Sequence, residues 1–427
     1  MIASGAYQKR EEIIVKCLSA LLASVLVFSV AQAGAEDKIR IAYIEGLSGP
    51  FANVGEMGLR HLELAVEDIN KRGGVLGGKK FHVVPYDNKT NPQDALLALR
   101  AAVDQGASYV FQGNSSSVAL AISGAVAKHN RRNPDNMVIF MNYAAVDPAL
   151  TNERCAFGHF RIDADVNMKM QALTDHMAKE KTLNKVYLFN QDYSFGQAVS
   201  KSARAMLKKK RPDIKIVGDD LHPLGKVKDF TPYIAKIKAS GAQAVVTGNW
   251  GNDLTLLVKA GKEAGLDVDY YTFYAGAAGG VTVIGDAGVG RVKQVTAWHS
   301  NINDKTADQA RAYRARYPDA PEDLYYSSLR IAMEMLVIAM DKARSTDPRK
   351  VAPELEQVRF TDNTGEVSFR TDNHQLLQPL FISTLVKAGG KDVRLDVERT
   401  GLGFRTDTRI EAAGTSMSTT CKFKRRR

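Results

Sequence analysis

The sequence predicts an α/β protein made of two similar lobes, each built on a parallel β-sheet covered by helices. Three observations predict this class. Short apolar runs alternate with longer amphipathic segments, the alternation begins again near Asp163, and no linker rich in proline or serine separates the two halves. Strands that alternate with helices of this length form βαβ units, whose parallel sheets are buried on both faces.

The first half of this alternating pattern begins at Lys38. Its expected strands are, in chain order, IRIAYI, FHVVPY, SYVFQG and MVIFMN. The first strand leads into a loop, GLSGPFANVG, and then into a helix whose apolar residues recur between Leu62 and Ile69 with the helical period. The second helix begins at Pro92 and ends at Gly106, as helices with these two residues commonly do.

The second half repeats the alternation. After a helix over residues 168–179, its expected strands are KVYLFN, IKIVG and AVVTG, and its later helices are QAVSKSARAMLKK, TPYIAKIKASG and DLTLLVKAGKEAG. Ligands of open parallel sheets bind at the carboxyl ends of the strands. The loops there are IEGLSG, QGNSSS, NYAAVDP, NQDYSFG, GNWGND and YAGAAGG. If the two lobes face each other, these loops line one cleft.

The N-terminus is typical of a secretory signal peptide. Basic residues precede an apolar run over residues 18–30, too short to span a bilayer comfortably, and the small residues AQA follow at 31–33. We expect cleavage near Ala33 or Ala35 and a periplasmic protein; an uncleaved anchor is the alternative. Cys17 lies at the start of the apolar run, which is the wrong place for a lipoprotein cysteine.

Cleavage leaves two cysteines, Cys155 and Cys421. An even pair in an oxidising compartment indicates one disulfide. Two unrelated thiols are the alternative. The bridge would hold a C-terminal tail, residues 411–427, against the middle of the chain.

The composition is globular, and 427 residues suffice for two or three domains. The net charge of +11 is compatible with nucleic-acid binding, but the lysines and arginines are scattered. The dense runs, KKKR before Pro212 and the terminal KFKRRR, are typical of a solvated helix end and a frayed tail. We therefore expect no nucleic-acid partner.

Three serines, Ser115 to Ser117, stand between an apolar strand-like run and an alanine-rich helix-like run. Serine caps helices, so a capped turn explains them. Alternatively, the hydroxyls and the free N–H groups of the helix start bind a carboxylate. The two readings are compatible, and the position at a strand end favours binding.

Several segments, in the same order along the chain, resemble the branched-chain amino-acid binding proteins of ABC importers. The most specific are LSGPFANVG, LAVEDINKRGGVLGGKKFHVVPYDN, DPALTN and DYSFG, and the resemblance covers the chain beyond the signal peptide. It implies the type I periplasmic binding fold, in which two Rossmann-like lobes are joined by a three-crossing hinge and close over a small ligand. We expect residues 36–160 and 278–362 in the first lobe, and residues 161–277 and 373–410 in the second.

The resemblance also implies which residues contact the ligand. The serine loop matches the family's carboxylate grip, with Ser116 favoured over Ser115, and YAAVDP supplies a backbone contact at Ala144. Val146 stands where many members have a threonine, so part of the polar grip is missing, and Val54 stands where many have an aromatic ring. The remaining positions that match ligand contacts are Tyr193, Phe195, Trp250 and, in YAGAAGG, Ala277.

The family's amino-acid binders hold the ligand ammonium with an acid in the loop that reads YAGAAGG here, and this loop contains none. Glu45, Asp192 and Asp253 lie in neighbouring loops, but each also suits a cap or a solvated loop position, Asp253 especially as an N-cap. A buried ammonium without a partner costs several kcal/mol. Either another acid supplies the charge, or the ligand is a carboxylate without an amine and with an apolar or aromatic body.

Enzymatic and metal-binding motifs are absent from the sequence: it has no G-x-S-x-G, H-E-x-x-H, P-loop or C-x-x-C. His159 and His299 have no partners at ligand spacing, so no metal site or cofactor is expected. We expect a monomeric, non-enzymatic capture protein that delivers a small carboxylate, an amino acid or a related acid, to an inner-membrane ABC permease. A protein that presents its ligand to a receptor or kinase is the alternative.

Overall fold

The computed structural model describes residues 38–423. The expected signal peptide, residues 1–33, therefore lies outside the described residues. Between residues 38 and 423, no helix has the length and apolar character needed to cross a membrane.

The first sheet has five parallel strands. They are β1 (Ile39–Glu45), β2 (Phe81–Asp87), β3 (Tyr109–Gln112), β4 (Ile139–Asn142) and β5 (His159–Arg161). Their order across the sheet is β2-β1-β3-β4-β5. Because the order reverses between β1 and β3, the loops that follow these two strands diverge and leave a crevice at the carboxyl edge.

The remaining strands form a larger mixed sheet and a small antiparallel one. They are β6 (Lys185–Gln191), β7 (Lys215–His222), β8 (Ala244–Thr247), β9 (Asp269–Thr272), β10 (Val292–Thr296), β11 (Arg359–Asp362), β12 (Gly365–Phe369), β13 (Leu376–Leu377), β14 (Leu380–Lys387) and β15 (Leu402–Ile410). The larger sheet has the order β15-β14-β10-β9-β8-β6-β7, and its order reverses between β6 and β8. Strands β11 to β13 form the small sheet.

Helices cover both faces of the two larger sheets. They are α1 (Ala52–Lys71), α2 (Pro92–Asp104), α3 (Ser116–Arg132), α4 (Val166–Met177), α5 (Ser194–Lys210), α6 (Thr231–Ala239), α7 (Asn252–Glu263), α8 (Gly280–Ile284), α9 (Asp304–Arg316), α10 (Ser327–Ala343) and α11 (Pro348–Leu355). The apolar face predicted for α1, from Leu62 to Ile69, is buried. The side chain of Asn91 caps α2 just before Pro92, as the start predicted there requires. The α/β class with Rossmann-like lobes is confirmed.

The structure corrects three expectations about these elements. Strand β10 pairs with β9 in the larger sheet, whereas the expected boundaries assign residues 278–362 to the first lobe. That sheet is also not wholly parallel, because β14 runs antiparallel to β10 and β15 antiparallel to β14. Finally, α1 begins at Ala52, inside the stretch expected to be a loop. Gly55 lies within the helix, and a glycine is needed there because a Cβ would collide with the carbonyl oxygen of Gly46.

The chain passes between the two larger sheets at residues 162–165, and a later segment holds this passage in place. Arg161 is fully buried and donates from Nε to Gln375 Oε1 (2.6 Å) and from Nη1 to the carbonyl of Asp147 (2.6 Å). Gln378 Nε2 donates to the carbonyl of Ile162 (2.7 Å). Two connections between the sheets are thus hydrogen-bonded side by side.

The expected disulfide joins Cys155 to Cys421. Beyond it, Phe423 packs on the His374 ring, with centroids 4.6 Å apart, and on Phe157 at 5.8 Å. The tail is therefore fixed near β5 by a covalent bond and by aromatic packing.

Candidate ligand-binding site

A cavity lies where the carboxyl-end loops of the two larger sheets meet, and we call it the main cavity. It has about 370 Å³ of empty space, including its mouth. It is lined by Val54, Gly113, Asn114, Ser115, Ser116, Ala144, Ala145, Val146, Tyr193, Phe195, Trp250, Gly251, Tyr274, Ala277 and Tyr326. Most of the lining comes from the loops after β3, β4, β6, β8 and β9, with Val54 added from α1 and Tyr326 from the residue before α10. Both points at which strand order reverses therefore contribute to it.

The structure brings together all but one of the residues expected to contact ligand. Those that line the main cavity are Ser115, Ser116, Ala144, Val146, Tyr193, Phe195, Trp250 and Ala277. Glu45 is not among the lining residues. The sequence analysis did not single out Asn114, Tyr274 or Tyr326 as contacts.

The serine side chains do not cap α3. Ser115 has a positive φ of 73° and makes no side-chain capping bond; its hydroxyl lies 2.9 Å from that of Ser117. Ser116 Oγ accepts the N–H of Asp147 at 3.2 Å. The helical ladder begins at Ala119, so the preceding N–H groups have no partner within the helix. The positive end of a 17-residue helix therefore meets the cavity.

Asn114 adds a second kind of donor to this end of the cavity. Its Oδ1 accepts the hydroxyl of Tyr326 at 3.2 Å, which orients the side-chain amide. Its Nδ2 is buried and has no hydrogen-bond partner in the part of the chain that the structure describes. A buried amide donor without a partner is unfavourable by about 1–3 kcal/mol. A bound oxyanion would remove that penalty.

Glu45 lies beneath the serine loop and holds its backbone. The carboxylate oxygen Oε1 accepts the N–H groups of Gly113 (2.5 Å) and Asn114 (2.9 Å). Complete burial raises the pKa of Glu45 to about 7. Glu45 therefore positions the serine loop: it lies at the end of β1 and holds the backbone that follows β3.

The other two candidate acids also lie outside the lining. Asp253 is buried in the first turn of α7, and its Oδ2 accepts from Gln191 Nε2 (2.8 Å) and from the N–H of Gly225 (2.9 Å). The N-cap of α7 is Gly251, so the capping role expected for Asp253 is wrong. Asp192 is exposed and accepts from Gln197 Nε2 (3.0 Å).

One carboxylate, that of Glu398, does contact the YAGAAGG loop, but it does not face the main cavity. Glu398 accepts the N–H of Gly279 (2.7 Å) and both the N–H and the hydroxyl of Thr282 (2.8 Å each). Burial raises the pKa of Glu398 to about 7. This carboxyl group holds the start of α8 and is not a lining residue. The lining of the main cavity thus contains no carboxylate and no cationic side chain.

Aromatic rings form the opposite wall. Trp250 Nε1 donates to the hydroxyl of Tyr193 at 2.9 Å, and Phe195 packs against Tyr274 with ring centroids 6.1 Å apart. The ring of Phe51, which precedes α1, stacks on Trp250 at 4.1 Å. This contact joins the two sides of the cleft.

Two hydrogen bonds from side-chain amides to backbone carbonyls lie at the rim, beside that stacking. Asn53 Nδ2 donates to the carbonyl of Ala278 (3.1 Å), and Asn252 Nδ2 donates to the carbonyl of Pro50 (3.0 Å). Each bond connects a residue near the start of α1 with a loop of the larger sheet. The structure is therefore a form in which the cleft is closed over the cavity.

No cluster of three or more potential metal ligands occurs among residues 38–423. His159 Nε2 lies 3.2 Å from Asn142 Nδ2, and His299 Nε2 lies 2.9 Å from Thr406 Oγ1. Burial lowers the pKa of His299 to about 3. Both histidines are buried, hydrogen-bonded parts of the core.

Comparison with known proteins agrees with this architecture. A family model described as "Periplasmic binding protein" matches residues 38–391. The "Leu/Ile/Val-binding protein homolog 4" of Brucella melitensis is 30% identical over 393 residues, which are 90% of this chain and 92% of that protein.

Solved structures show the same fold. The closed conformation of a leucine-, isoleucine-, valine-, threonine- and alanine-binding protein from Brucella ovis matches with a TM-score of 0.81 and 28% identity, over 91% of this chain and 100% of that one. A solute-binding protein of an R. palustris ABC transporter, in complex with benzoate, matches with a TM-score of 0.72 and 20% identity, over 90% and 99% of the two chains. The chain belongs to the periplasmic binding proteins of type I fold, in the branched-chain amino-acid binding family of ABC-transporter solute-binding proteins.

Proposed function

We propose that this protein captures a small carboxylate that carries an apolar or aromatic body and no ammonium group. One observation carries the proposal: the main cavity has hydrogen-bond donors at one end, aromatic rings at the other, and no carboxylate in its lining. The N-terminus of α3, the serine hydroxyls and Asn114 Nδ2 suit an oxyanion. Tyr193, Phe195 and Trp250 suit a flat or branched hydrocarbon.

An α-ammonium group would have no anionic partner in this cavity. Asp163 contacts a lining side chain, since its Oδ2 lies 3.4 Å from the Tyr274 hydroxyl, but the same oxygen already pairs with Lys169 Nζ at 2.6 Å. Lys169 Nζ also lies 4.5 Å from the centre of the Tyr274 ring, and Lys169 itself does not line the main cavity. Burying an unpaired ammonium is unfavourable by several kcal/mol, so amino acids should bind poorly.

The ligands named for the similar proteins fall into two classes, carboxylates with an amine and carboxylates without one. The relatives named as binding leucine, isoleucine and valine are carboxylate binders with an amine in the ligand. The R. palustris protein was solved with benzoate, which has no amine. The lining of this chain fits the second ligand class.

We further propose that the protein works in the periplasm as a monomer and delivers its ligand to an ABC permease. Export would follow from the N-terminal signal, and delivery from membership of a transport family. Capture would proceed by closure, because a ligand that touches both walls binds the closed form more tightly and raises its population. The stacking of Phe51 on Trp250 would hold that form.

Isothermal titration calorimetry of the mature protein tests the ligand class. One benzoate should bind per chain with a dissociation constant in the micromolar range or below. A micromolar constant corresponds to a binding free energy of about −8 kcal/mol. L-leucine should bind at least 100-fold more weakly. Benzylamine, which keeps the ring and reverses the charge, is the matched control and should not bind. Tight binding of leucine, or no binding of any amine-free carboxylate, would overturn the proposal.

A further inference from the structure

Glu45 carries a buried carboxyl group that no cation neutralises. Its Oε1 accepts only the backbone N–H groups of Gly113 and Asn114, and its Oε2 has no hydrogen-bond partner in the part of the chain that the structure describes. No cationic side chain among residues 38–423 forms a hydrogen bond with it. Burying a charge with so few partners is unfavourable, so the surroundings favour the neutral, protonated form.

Three tyrosines from different parts of the chain interact electrostatically with this carboxyl group without adding a compensating charge. They are Tyr43 on β1, Tyr143 after β4 and Tyr326 before α10, and all three are buried. Burial and the carboxylate of Glu45 both raise the pKa of their hydroxyls, which therefore stay protonated. Tyr43 donates to the carbonyl of Gly55 (2.7 Å), and its hydroxyl lies 3.1 Å from that of Tyr143.

The charged groups on the neighbouring elements are already compensated. Asp87 lies opposite Glu45 in the register of β1 and β2, but it is exposed and accepts backbone N–H groups of the loops that follow these strands. Arg60, on α1, donates to both carboxylate oxygens of Glu322, at 2.8 and 2.9 Å. The protonation of Glu45 therefore depends chiefly on its burial and on any charge that enters the main cavity.

One short loop separates Glu45 from the carboxylate end of the main cavity. Asn114 belongs to both sides of this loop: its backbone N–H donates to Glu45 Oε1 at 2.9 Å, while its side chain lines the cavity together with Ser115 and Ser116. A ligand carboxylate held by the loop would lie one layer of backbone away from Glu45. Two negative carboxylates placed this close in a buried site repel each other, which favours protonation of one of them.

We propose that the protein binds its carboxylate ligand together with one proton, which Glu45 takes up from the solvent. The ligand brings one negative charge and the proton one positive charge, so the buried region gains no net charge. The proton would reside on Oε2, which leaves the bonds of Oε1 to Gly113 and Asn114 in place. Ligand affinity should therefore fall as pH rises. This inference rests on the proposed function and adds a proton to what the site captures.

Calorimetric titration with benzoate and with 4-methylpentanoate counts this proton. Titrations at pH 7.5 in two buffers of different ionisation enthalpy, phosphate and Tris, give the number of protons taken up from the difference in apparent binding enthalpy. Burial raises the pKa of Glu45 to about 7 in the free protein, so the group is mostly ionised at pH 7.5 and must regain its proton on binding. We expect an uptake of about half a proton or more per ligand.

The pH dependence of the affinity is the second measurement. Both ligands are ionised from pH 6 to pH 8.5, so their own titration does not contribute. In the wild type, affinity should be about fivefold or more weaker at pH 8.5 than at pH 6. Infrared difference spectra at pH 8, with and without ligand, report the same step without any variant, because a protonated-carboxyl band should appear on binding.

Two variants assign the proton to its acceptor. Glu45→Gln keeps an oxygen for the serine loop and does not titrate, so proton uptake should vanish and the affinity should be equal at the two pH values, whatever its absolute size. Glu398→Gln is the matched control. Glu398 is also a buried carboxyl group, and burial raises its pKa to about 7, but it holds the YAGAAGG loop and not the serine loop. This variant should keep the wild-type proton uptake.

The outcomes separate this inference from the proposed function. If a carboxylate binds the wild type without proton uptake, the coupling is wrong and the proposed function stands. If uptake persists in Glu45→Gln, or is lost only in Glu398→Gln, Glu45 is not the acceptor and the inference is also wrong. If neither benzoate nor 4-methylpentanoate binds the wild type, the proposed function fails and the coupling fails with it.

Discussion

Glu45 has a carboxyl group without contact to solvent, and its pKa is raised by that burial to about 7. The folded protein therefore holds this proton more tightly than the unfolded chain, in which the group titrates near 4.5. Between those two pH values, the free energy of unfolding falls as pH rises.

Equilibrium urea unfolding of the wild type and of Glu45→Gln at pH 5 and pH 8 measures this effect. The glutamine keeps an oxygen for the N–H groups of Gly113 and Asn114 but does not titrate. We expect the wild type to lose about 2–3 kcal/mol relative to the variant between the two pH values. A difference that stays constant with pH would show that Glu45 is ionised throughout.

Asn114 is the residue whose replacement should most directly affect the carboxylate end of the cavity. Asn114→Asp keeps the shape of the side chain but replaces its unpartnered donor with a negative oxygen. The affinity for benzoate should fall at least 100-fold, because like charges would be buried together. Asn133→Asp adds the same charge at the opposite, exposed end of α3 and should leave the affinity within twofold. Equal losses in both variants would contradict the assigned site.

These residues also show what the sequence can and cannot predict about the site. The serine loop, Tyr193 and Trp250 were expected at the cavity because they follow strands in a familiar order. Asn114 was missed because the feature that suits it to ligand binding is a buried amide N–H group without a partner. That feature depends on the hydrogen bond from Tyr326, which is distant in sequence. The cap expected at Asp253 was wrong because Gln191 and Gly225, distant in sequence, take its carboxylate.

At the level of elements, α1 contains two glycines, Gly55 and Gly58, at which the helix packs closely against neighbouring segments. Gly55 belongs to the stretch GLSGPFANVG, whose last residues are helical although its composition is typical of a loop. A Cβ at Gly58 would lie 2.9 Å from the hydroxyl of Tyr143 and closer still to that of Tyr43. Glycine is required there by the approach of other chain segments, which a local pattern does not show.

Gly58→Ala should therefore lower the free energy of unfolding by about 1–3 kcal/mol, because the tyrosines must move. Gly124 is the matched control, since it is an exposed glycine within α3 and a Cβ there would meet no atom within 4 Å. Gly124→Ala should stabilise the protein by about 0.5–1 kcal/mol. Chemical unfolding of both variants measures the contrast. If Gly58→Ala is as stable as Gly124→Ala, the close packing of α1 is not as described.

At the scale of the whole molecule, the disulfide joins residues 266 positions apart and fixes the C-terminal tail. Cross-links of this kind typically stabilise a protein by about 2–4 kcal/mol, chiefly through the unfolded chain. Neither cysteine lines the main cavity. We expect Cys155→Ser/Cys421→Ser to lose stability of that order in urea and to keep its benzoate affinity within twofold. A large loss of affinity would instead connect the tail to ligand binding.

The sequence predicts more about the fold than about the ligand. Alternating strands and helices, with their restart near Asp163, sufficed for two α/β lobes. The sequence did not reveal that β10 joins the larger sheet, because strand pairing depends on contacts distant in sequence. Nor did it reveal that Lys169 neutralises Asp163 beside Tyr274, which the packing of three separate segments creates.

The central claim is that this cavity accepts a carboxylate and rejects the ammonium of an amino acid. The most direct test is calorimetric comparison of 4-methylpentanoate with L-leucine, which differ only by the α-amine. Because the lining holds no free carboxylate, we predict that 4-methylpentanoate binds at least 100-fold more tightly, a difference of about 2.7 kcal/mol. Tighter binding of L-leucine would contradict the account and would mean that an anionic partner for the amine forms in the bound protein.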